Sequence, residues 1–288
     1  MPQFNFDAIG TKWQIDIFEY LDRETEANIL IKINSRIEEF DKAYSRFLPS
    51  SLITAMSKKA GVYVVPEDAQ ELLKIYFDLY QKTNGLFTPL VGNLLSDAGY
   101  DAEYSLKQKN ELKAPLKWEE VMEYDHPNLT IKIPSILDFG AGGKGYLIDI
   151  IGKLLEENNI TKYCIDGSGD MLCKNSEAIR VGLENPFDLD QVIGTLDLQN
   201  KSICGSAGTR RKWGEFTHII DPMTLKSPTD VVAVWVVADT ALIADCIATC
   251  LFFVHPESLL NSYQFEYVII KNDKSILRSV NFAGQIFA

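Results

Sequence analysis

The chain has 288 residues, enough for about two domains of ordinary size or one large one. Apolar residues make up 46% of it and charged residues 24%, a balance that excludes disordered and fibrous classes. Lys and Arg number 28 against 40 Asp and Glu, a formal net charge of −12, which argues against gripping a polyanion over a broad surface.

From Lys12 to Glu19 the residues alternate, Trp13, Ile15 and Ile17 on one face and Lys12, Gln14 and Asp16 on the other, which predicts a strand. Asp22 then caps a helix whose Ile29, Ile33, Ile37 and Phe40 form one apolar stripe. A second helix spans Glu67 to Asn84, carrying Leu72, Leu73, Tyr76, Leu79 and Tyr80 and stopped by Asn84-Gly85. Leu94 to Asn128 is polar and weakly periodic and reads as loops with short elements. Ile136 to Phe139 predicts a short strand, followed by a glycine-dense turn over Gly140–Gly145 and a helix from about Tyr146 to Glu157. A strand at Lys162–Asp166 leads into short β segments as far as Ser202, broken by Gly, Asn and Pro in the manner of hairpins. Val231–Ala238 predicts a strand and Thr240–Val254 a helix. Tyr263–Ile270 and Ile276–Ala288 read as closing strands.

Val231 to Val254 is apolar enough to raise the question of a membrane span. Asp239 and Asp245 lie inside it, each costing about 2.5–3.5 kcal/mol at a bilayer centre, so a buried strand running into a buried helix is expected. The 5 cysteines, Cys164, Cys173, Cys204, Cys246 and Cys250, contain no Cys-x-x-Cys pair, so neither a disulfide framework nor a zinc knuckle is indicated and a reducing compartment is expected. The first residues show no basic segment followed by an apolar run, and a cytoplasmic location is expected.

Three features bear on chemistry. Gly140-Ala141-Gly142-Gly143-Lys144-Gly145 matches G-x-G-x-x-G, with Asp166 about 20 residues further on, as in a dinucleotide-binding Rossmann unit. The hairpins after Asp166 disfavour that reading; the other is a tight turn that needs glycine for positive φ. It is not a Walker loop, because Gly145 follows the lysine where Ser or Thr is required. Asp245 sits in an apolar helix with Thr249 one turn on, so a carboxylate and a hydroxyl share a face. A buried carboxylate needs a cation, a donor set or water, and magnesium suits hard oxygen ligands combined with substrate phosphates. The alternative is a carboxylate hydrogen-bonded to a neighbouring turn. His218, one of only 3 histidines, is a plausible proton carrier near neutral pH or else a structural histidine. The Arg210-Arg211-Lys212-Trp213 run is too short to imply nucleic acid; it holds one phosphate or is a solvated turn.

In their order, these motifs resemble the ApbE family of FAD:protein FMN transferases. The resemblance is carried by Ala8–Thr11, Tyr44–Ser51, Gly85–Pro89, Asp138 through Asp149, Asp166–Asp170, His218 through Pro222 and Ala244–Thr249. It implies an α+β, T-fold-like architecture of mostly antiparallel sheets flanked by helices. The chain would then be a single catalytic domain over residues 1–288, or two intertwined α+β lobes. It implies Mg2+-dependent transfer of FMN from FAD to a Ser or Thr hydroxyl of an acceptor flavoprotein with release of AMP, without nucleic acid or membrane insertion. By position, Asp245, Thr249 and the backbone carbonyl of Ala141 would hold the metal. Flavin nucleotide contacts would fall at Ile9, Phe47, Leu86, Phe87, Thr88, Asp138, Lys144 and Ile220. Within that chemistry His218 is assigned as proton acceptor and Lys144 as phosphate stabiliser. The sequence departs from the family pattern in having Ile9 for a common Met, Phe47 for a common Tyr and Thr88 for a common Asp. Two other functions stay open: an FAD-binding protein without transferase activity, and a Mg2+-dependent FAD pyrophosphatase using water at the same site.

Overall fold

The structure is a computed structural model describing residues 1–109, 111–209 and 211–287. The chain opens with the hairpin β1 (Gln3–Ala8) and β2 (Thr11–Ile17), which turns Trp13, Ile15 and Ile17 inward as their alternation requires. Ile9 and Gly10 form its two-residue turn at φ 43° and 77°, the mirror-image geometry that matches strand twist. α1 (Arg23–Tyr44) begins where the Asp22 side chain accepts from Thr25 N at 2.8 Å, and it buries Ile29, Ile33 and Phe40. α2 (Leu52–Lys58), β3 (Gly61–Val64) and α3 (Ala69–Lys82) follow, and α3 ends at Asn84 and Gly85, both at positive φ. The polar stretch holds α4 (Gly92–Ala98), α5 (Trp118–Val121), β4 (Met122–Asp125) and β5 (Asn128–Ile131).

Ile136–Phe139 is not a strand. Ile136 N donates to Asn93 Oδ1 (3.1 Å) and Asp138 N to Pro89 O (2.7 Å), so the segment is pinned to the first turn of α4 and the turn before it, and not to a strand ladder. Its apolar residues Leu137 and Phe139 are buried all the same. α6 (Gly143–Glu157) starts inside the glycine cluster, three residues earlier than expected.

Then come β6 (Tyr163–Asp166), β7 (Met171–Lys174), β8 (Ile179–Glu184), β9 (Val192–Leu198) and β10 (Lys201–Ala207). After them lie β11 (Lys212–Trp213), β12 (Phe216–Thr217), β13 (Val231–Ala238) and α7 (Ala241–Cys250), the last ending short of the expected Val254 in a run of turns. α8 (Glu257–Leu260), β14 (Glu266–Lys271), β15 (Ile276–Arg278) and β16 (Gln285–Ile286) close the described chain.

Eight strands make the main sheet in the order β1-β2-β6-β7-β10-β13-β14-β15, every neighbouring pair antiparallel. The Rossmann reading of the glycine turn therefore fails: β6, which follows α6, pairs antiparallel with β2 and β7 and has no parallel partner among the described residues. Three small sheets, β3-β5-β4, β16-β9-β8 and β11-β12, flank it.

Both faces of the main sheet are covered. Ile165, Leu172, Cys204, Val234 and Val236 pack in one cluster with α1, α6 and α7, whereas Cys164, Cys173, Ile203, Ala233 and Val237 pack in another with Leu183, Leu196 and Leu198 of β8 and β9. That double burial explains why β13 reads as an unbroken apolar run. Among the described residues no helix is long and apolar enough to cross a membrane.

The cysteine pattern indicated no disulfide framework, yet two of the five cysteines pair. Cys164 and Cys173 stand directly opposite on β6 and β7 and form a disulfide, their Cα atoms 4.2 Å apart. Nine residues of separation carry no sequence signature; the hairpin register alone makes the two side chains meet. The cysteine pattern thus no longer argues for a reducing compartment, while Cys204, Cys246 and Cys250 are free and buried.

Candidate active site

A single cleft of about 1140 Å³ receives the β1–β2 turn, the segments after α1 and α3, the glycine bend, the β6–β7 turn, the β8 edge and one face of α7. All twelve residues singled out from sequence line it: Ile9, Phe47, Leu86, Phe87, Thr88, Asp138, Ala141, Lys144, His218, Ile220, Asp245 and Thr249. Phe87 and Ile220 do so from within the core, at 2% and 3% exposure. Thr88 caps the short turn at Pro89–Val91, its hydroxyl accepting from Leu90 N at 3.2 Å, and Thr83 Oγ1 accepts from Phe87 N at 2.9 Å.

At the floor α6 crosses α7 at van der Waals range, and the glycines are there for that reason. A Cβ on Gly145 would stand 2.2 Å from Ala241 O, and one on Gly142 would stand 2.3 Å from Cys246 Sγ. With those side chains absent, Gly145 N donates to Asp245 Oδ2 at 2.9 Å. Further along α6, Asp149 accepts from Ala241 N (2.8 Å) and Leu242 N (2.7 Å), capping α7 from outside. Burial lifts the Asp149 pKa to about 7 in spite of those two amides. The helix that carries Asp245 and Thr249 is thus held at its first turn and at its middle.

Asp245 is 5% exposed. Burial pushes its pKa well above the usual carboxylate range, and the like charge of Asp170 adds to this. Lys144 and the Gly145 amide pull the other way. Lys144 Nζ lies 2.5 Å from Asp170 Oδ2 and donates to Gly167 O at 3.0 Å. Burial disfavours its charge, but Asp170 and Asp245 outweigh that and hold its pKa above the ordinary lysine value. Asp170 in turn accepts from Gly205 N at 2.9 Å. The floor is therefore a Lys144 ammonium set among two buried carboxylates. Asp245, Thr249 and Ala141 line the same cleft. Among the described residues no group of three or more His, Cys, Asp or Glu gathers as a metal site.

On another wall Asp138 Oδ1 accepts from Gly140 N at 2.7 Å, and its Oδ2 accepts from Arg46 Nε. The Arg46 side chain is 4% exposed, with its guanidinium carbon 4.2 Å from the Phe47 ring centre and 4.9 Å from that of Tyr100. His218 is half-buried; its backbone N–H donates to the Arg211 carbonyl at 3.2 Å, and its ring Nδ1 has no hydrogen-bond partner among the described residues. Burial, reinforced by the Arg211 charge, lowers its pKa to about 4, so the ring is neutral at pH 7. Arg211 lines the cleft and donates to Tyr100 OH at 3.1 Å; Arg210 lies outside the described residues.

Sequence reasoning missed three functional partners. Arg46 lies 92 residues from Asp138, and nothing local ties a basic residue after α1 to a carboxylate after β5. Asp149 gave one usable signal, a carboxylate in the apolar stretch of a helix. Asp170 closes the Asp166–Asp170 motif, but nothing in the sequence pairs it with Lys144.

The arrangement defines an α+β enzyme with buried charges and hard oxygen donors at the floor of a large cleft. Its family is the ApbE family, whose model matches residues 9–269, and the chain belongs to it. The chain is similar to the FAD:protein FMN transferase of Escherichia coli (strain K12), 26% identical over 273 residues that span 87% of this chain and 77% of the relative. The protein of the same description from Salmonella typhimurium is 23% identical over 260 residues, 83% of this chain and 74% of that one. Among solved structures, the flavin transferase ApbE from Vibrio cholerae matches with a TM-score of 0.82 at 19% identity, covering 98% of this chain and 97% of that one. The ApbE protein from Thermotoga maritima matches with a TM-score of 0.81 at 20% identity and the same coverage. At these identities the solved structures carry the fold, and they agree with the antiparallel α+β architecture.

Proposed function

We propose that this protein is an FAD:protein FMN transferase, its whole chain acting as one catalytic domain. FAD binds in the cleft, and FMN passes to a Ser or Thr hydroxyl of an acceptor flavoprotein. The observation that carries the reading is the junction of the glycine bend with Asp245, where a backbone amide, a buried carboxylate and Lys144 converge on a cleft of nucleotide size.

The donors at the floor suit Mg2+: the Asp245 carboxylate, the Thr249 hydroxyl and the Ala141 carbonyl are all hard oxygens, and a buried carboxylate calls for a cation. When bound, that ion supplies positive charge against the phosphate bridge of FAD. The remaining steps belong to the side chains. Lys144, kept charged by Asp170 and Asp245, adds a second positive charge at the floor. The acceptor oxygen bonds to the phosphorus of the FMN half while the bond from that phosphorus to the bridging oxygen breaks, and AMP leaves with the bonding pair. Neutral His218 takes the proton from the acceptor hydroxyl. Asp138, oriented by Arg46 and Gly140, and Phe47, Leu86, Phe87, Thr88, Ile9 and Ile220 shape the walls that hold the nucleotide.

Incubation with FAD, MgCl2 and an acceptor flavoprotein, followed by intact mass of the acceptor, tests the reading. A rise of one FMN-sized adduct, lost when Asp245 is changed to Ala in a folded variant, is expected. Free FMN plus AMP without adduct would make the protein an FAD pyrophosphatase, and unchanged FAD would make it a binding protein.

A further inference from the structure

One aromatic residue on the cleft wall has no part in the chemistry above. Tyr104 stands in the connection between α4 and α5, 52% exposed, and lines the cleft. Its ring centre lies 5.2 Å from that of Phe47, with the ring planes 15° from parallel. Tyr100 abuts both rings at steep angles, at 5.6 and 5.5 Å. Phe47 carries the buried Arg46 guanidinium over its ring, so Tyr104 is the open member of a stacked, cation-supported aromatic column.

The backbone beneath it is held against its own preference. Tyr104 has φ 52°, in the left-handed region that a bulky residue adopts only where its surroundings impose it. Asp101, 2% exposed, imposes it. Its carboxylate accepts from Glu103 N (3.1 Å), Ser105 N (3.0 Å) and Ser105 Oγ (2.5 Å), and pairs with Lys109 Nζ at 2.6 Å. The residues on either side of Tyr104 are thus clamped to one anchor. A half-exposed ring adds little to core burial, so folding does not account for a strained loop that presents it to the cleft.

We propose that Tyr104 is a specificity-determining residue: the open face of its ring is the platform on which a planar ring of FAD stacks. The proposal rests on the FAD reading of the cleft. Offset aromatic stacking corresponds to about three- to tenfold in affinity. The effect should fall on binding and leave the transfer step alone, because Tyr104 is remote in role from the charged floor.

The test is calorimetric titration of wild type, Tyr104→Ala and Tyr104→Phe with FAD, FMN and AMP in MgCl2 buffer, alongside steady-state kinetics. Tyr104→Ala should raise Kd and KM for FAD by about three- to tenfold with kcat within about twofold, and Tyr104→Phe should restore wild-type values. The loss should recur with FMN or with AMP, which identifies the ring that stacks. Equal or tighter FAD binding by the Ala variant, with wild type binding normally, would overturn this inference alone. Wild type that binds no FAD would overturn it together with the proposed function.

Discussion

The amide of Gly145 donates to Asp245 Oδ2 at 2.9 Å, joining residues 100 positions apart and placing the first turn of α6 against the middle of α7. A methyl group on Gly145 would meet Ala241 O at 2.2 Å and Asp245 Cβ at 2.8 Å, so the helices must part to admit it. Gly145→Ala should cost about 1–3 kcal/mol and abolish transfer, both measurable by thermal melting and acceptor mass. Gly169, at φ 96° with nothing within 4 Å of an added Cβ, is the control: its Ala variant carries backbone strain alone, about 1–2 kcal/mol. Wild-type stability in Gly145→Ala would refute the close-packing account.

Arg46 and Asp138 form a pair whose side chains are 4% and 12% exposed. Removing the cation alone leaves a buried carboxylate with only the Gly140 amide, so Arg46→Met should destabilise by about 3–5 kcal/mol. Arg46→Met combined with Asp138→Asn should recover part of that loss, because no unpaired charge remains. Urea unfolding of the two variants decides the matter, and additive losses would mean that the pair is not coupled.

His218 has a folded pKa of about 4 against an ordinary value of 6.5. The unfolded chain therefore binds more protons between these values, and the stability contributed by the neutral ring is present above pH 6.5 and lost as pH falls towards 4. As proton acceptor the ring is available throughout that window, so any acid limb of kcat/KM near pH 6.5–7 should come from the buried Asp149, whose pKa is about 7, and not from His218. His218→Gln should remove most of the turnover and flatten the stability profile between the two values. A midpoint near pH 6.5, absent from the variant, would show an exposed, ordinary histidine instead.

The Cys164–Cys173 link leaves Cys204, Cys246 and Cys250 as the free thiols. Alkylation of protein unfolded without reductant should modify those three and, after reduction, all five. Changing both linked cysteines to Ala should cost about 2–3 kcal/mol, the loop-closure value for so short a loop. Five alkylated cysteines without reductant would show that the link does not form.

Local pattern made much of the fold legible. The stripe of Ile29, Ile33 and Phe40, the Asp22 cap, the Asn84-Gly85 stop and the apolar run of β13 are properties of contiguous residues, and each appears where its period or turn chemistry placed it. The predicted strand at Ile136–Phe139 failed because a short apolar run reports burial, while its hydrogen bonds are decided by distant Pro89 and Asn93.

The same division runs through the cleft. Asp245 with Thr249, the glycine bend and His218 were visible because helical spacing and residue type are local facts. None of the bend's glycines, however, has the positive φ of the tight-turn reading; close packing on α7 requires Gly142 and Gly145. Burial rather than residue type sets the His218 pKa at about 4. The pairing of Arg46 with Asp138, of Lys144 with Asp170 and of Cys164 with Cys173 came only with the tertiary structure. An ion pair or a disulfide depends on which residues the folded chain brings within a few ångströms, and a linear sequence does not display that distance.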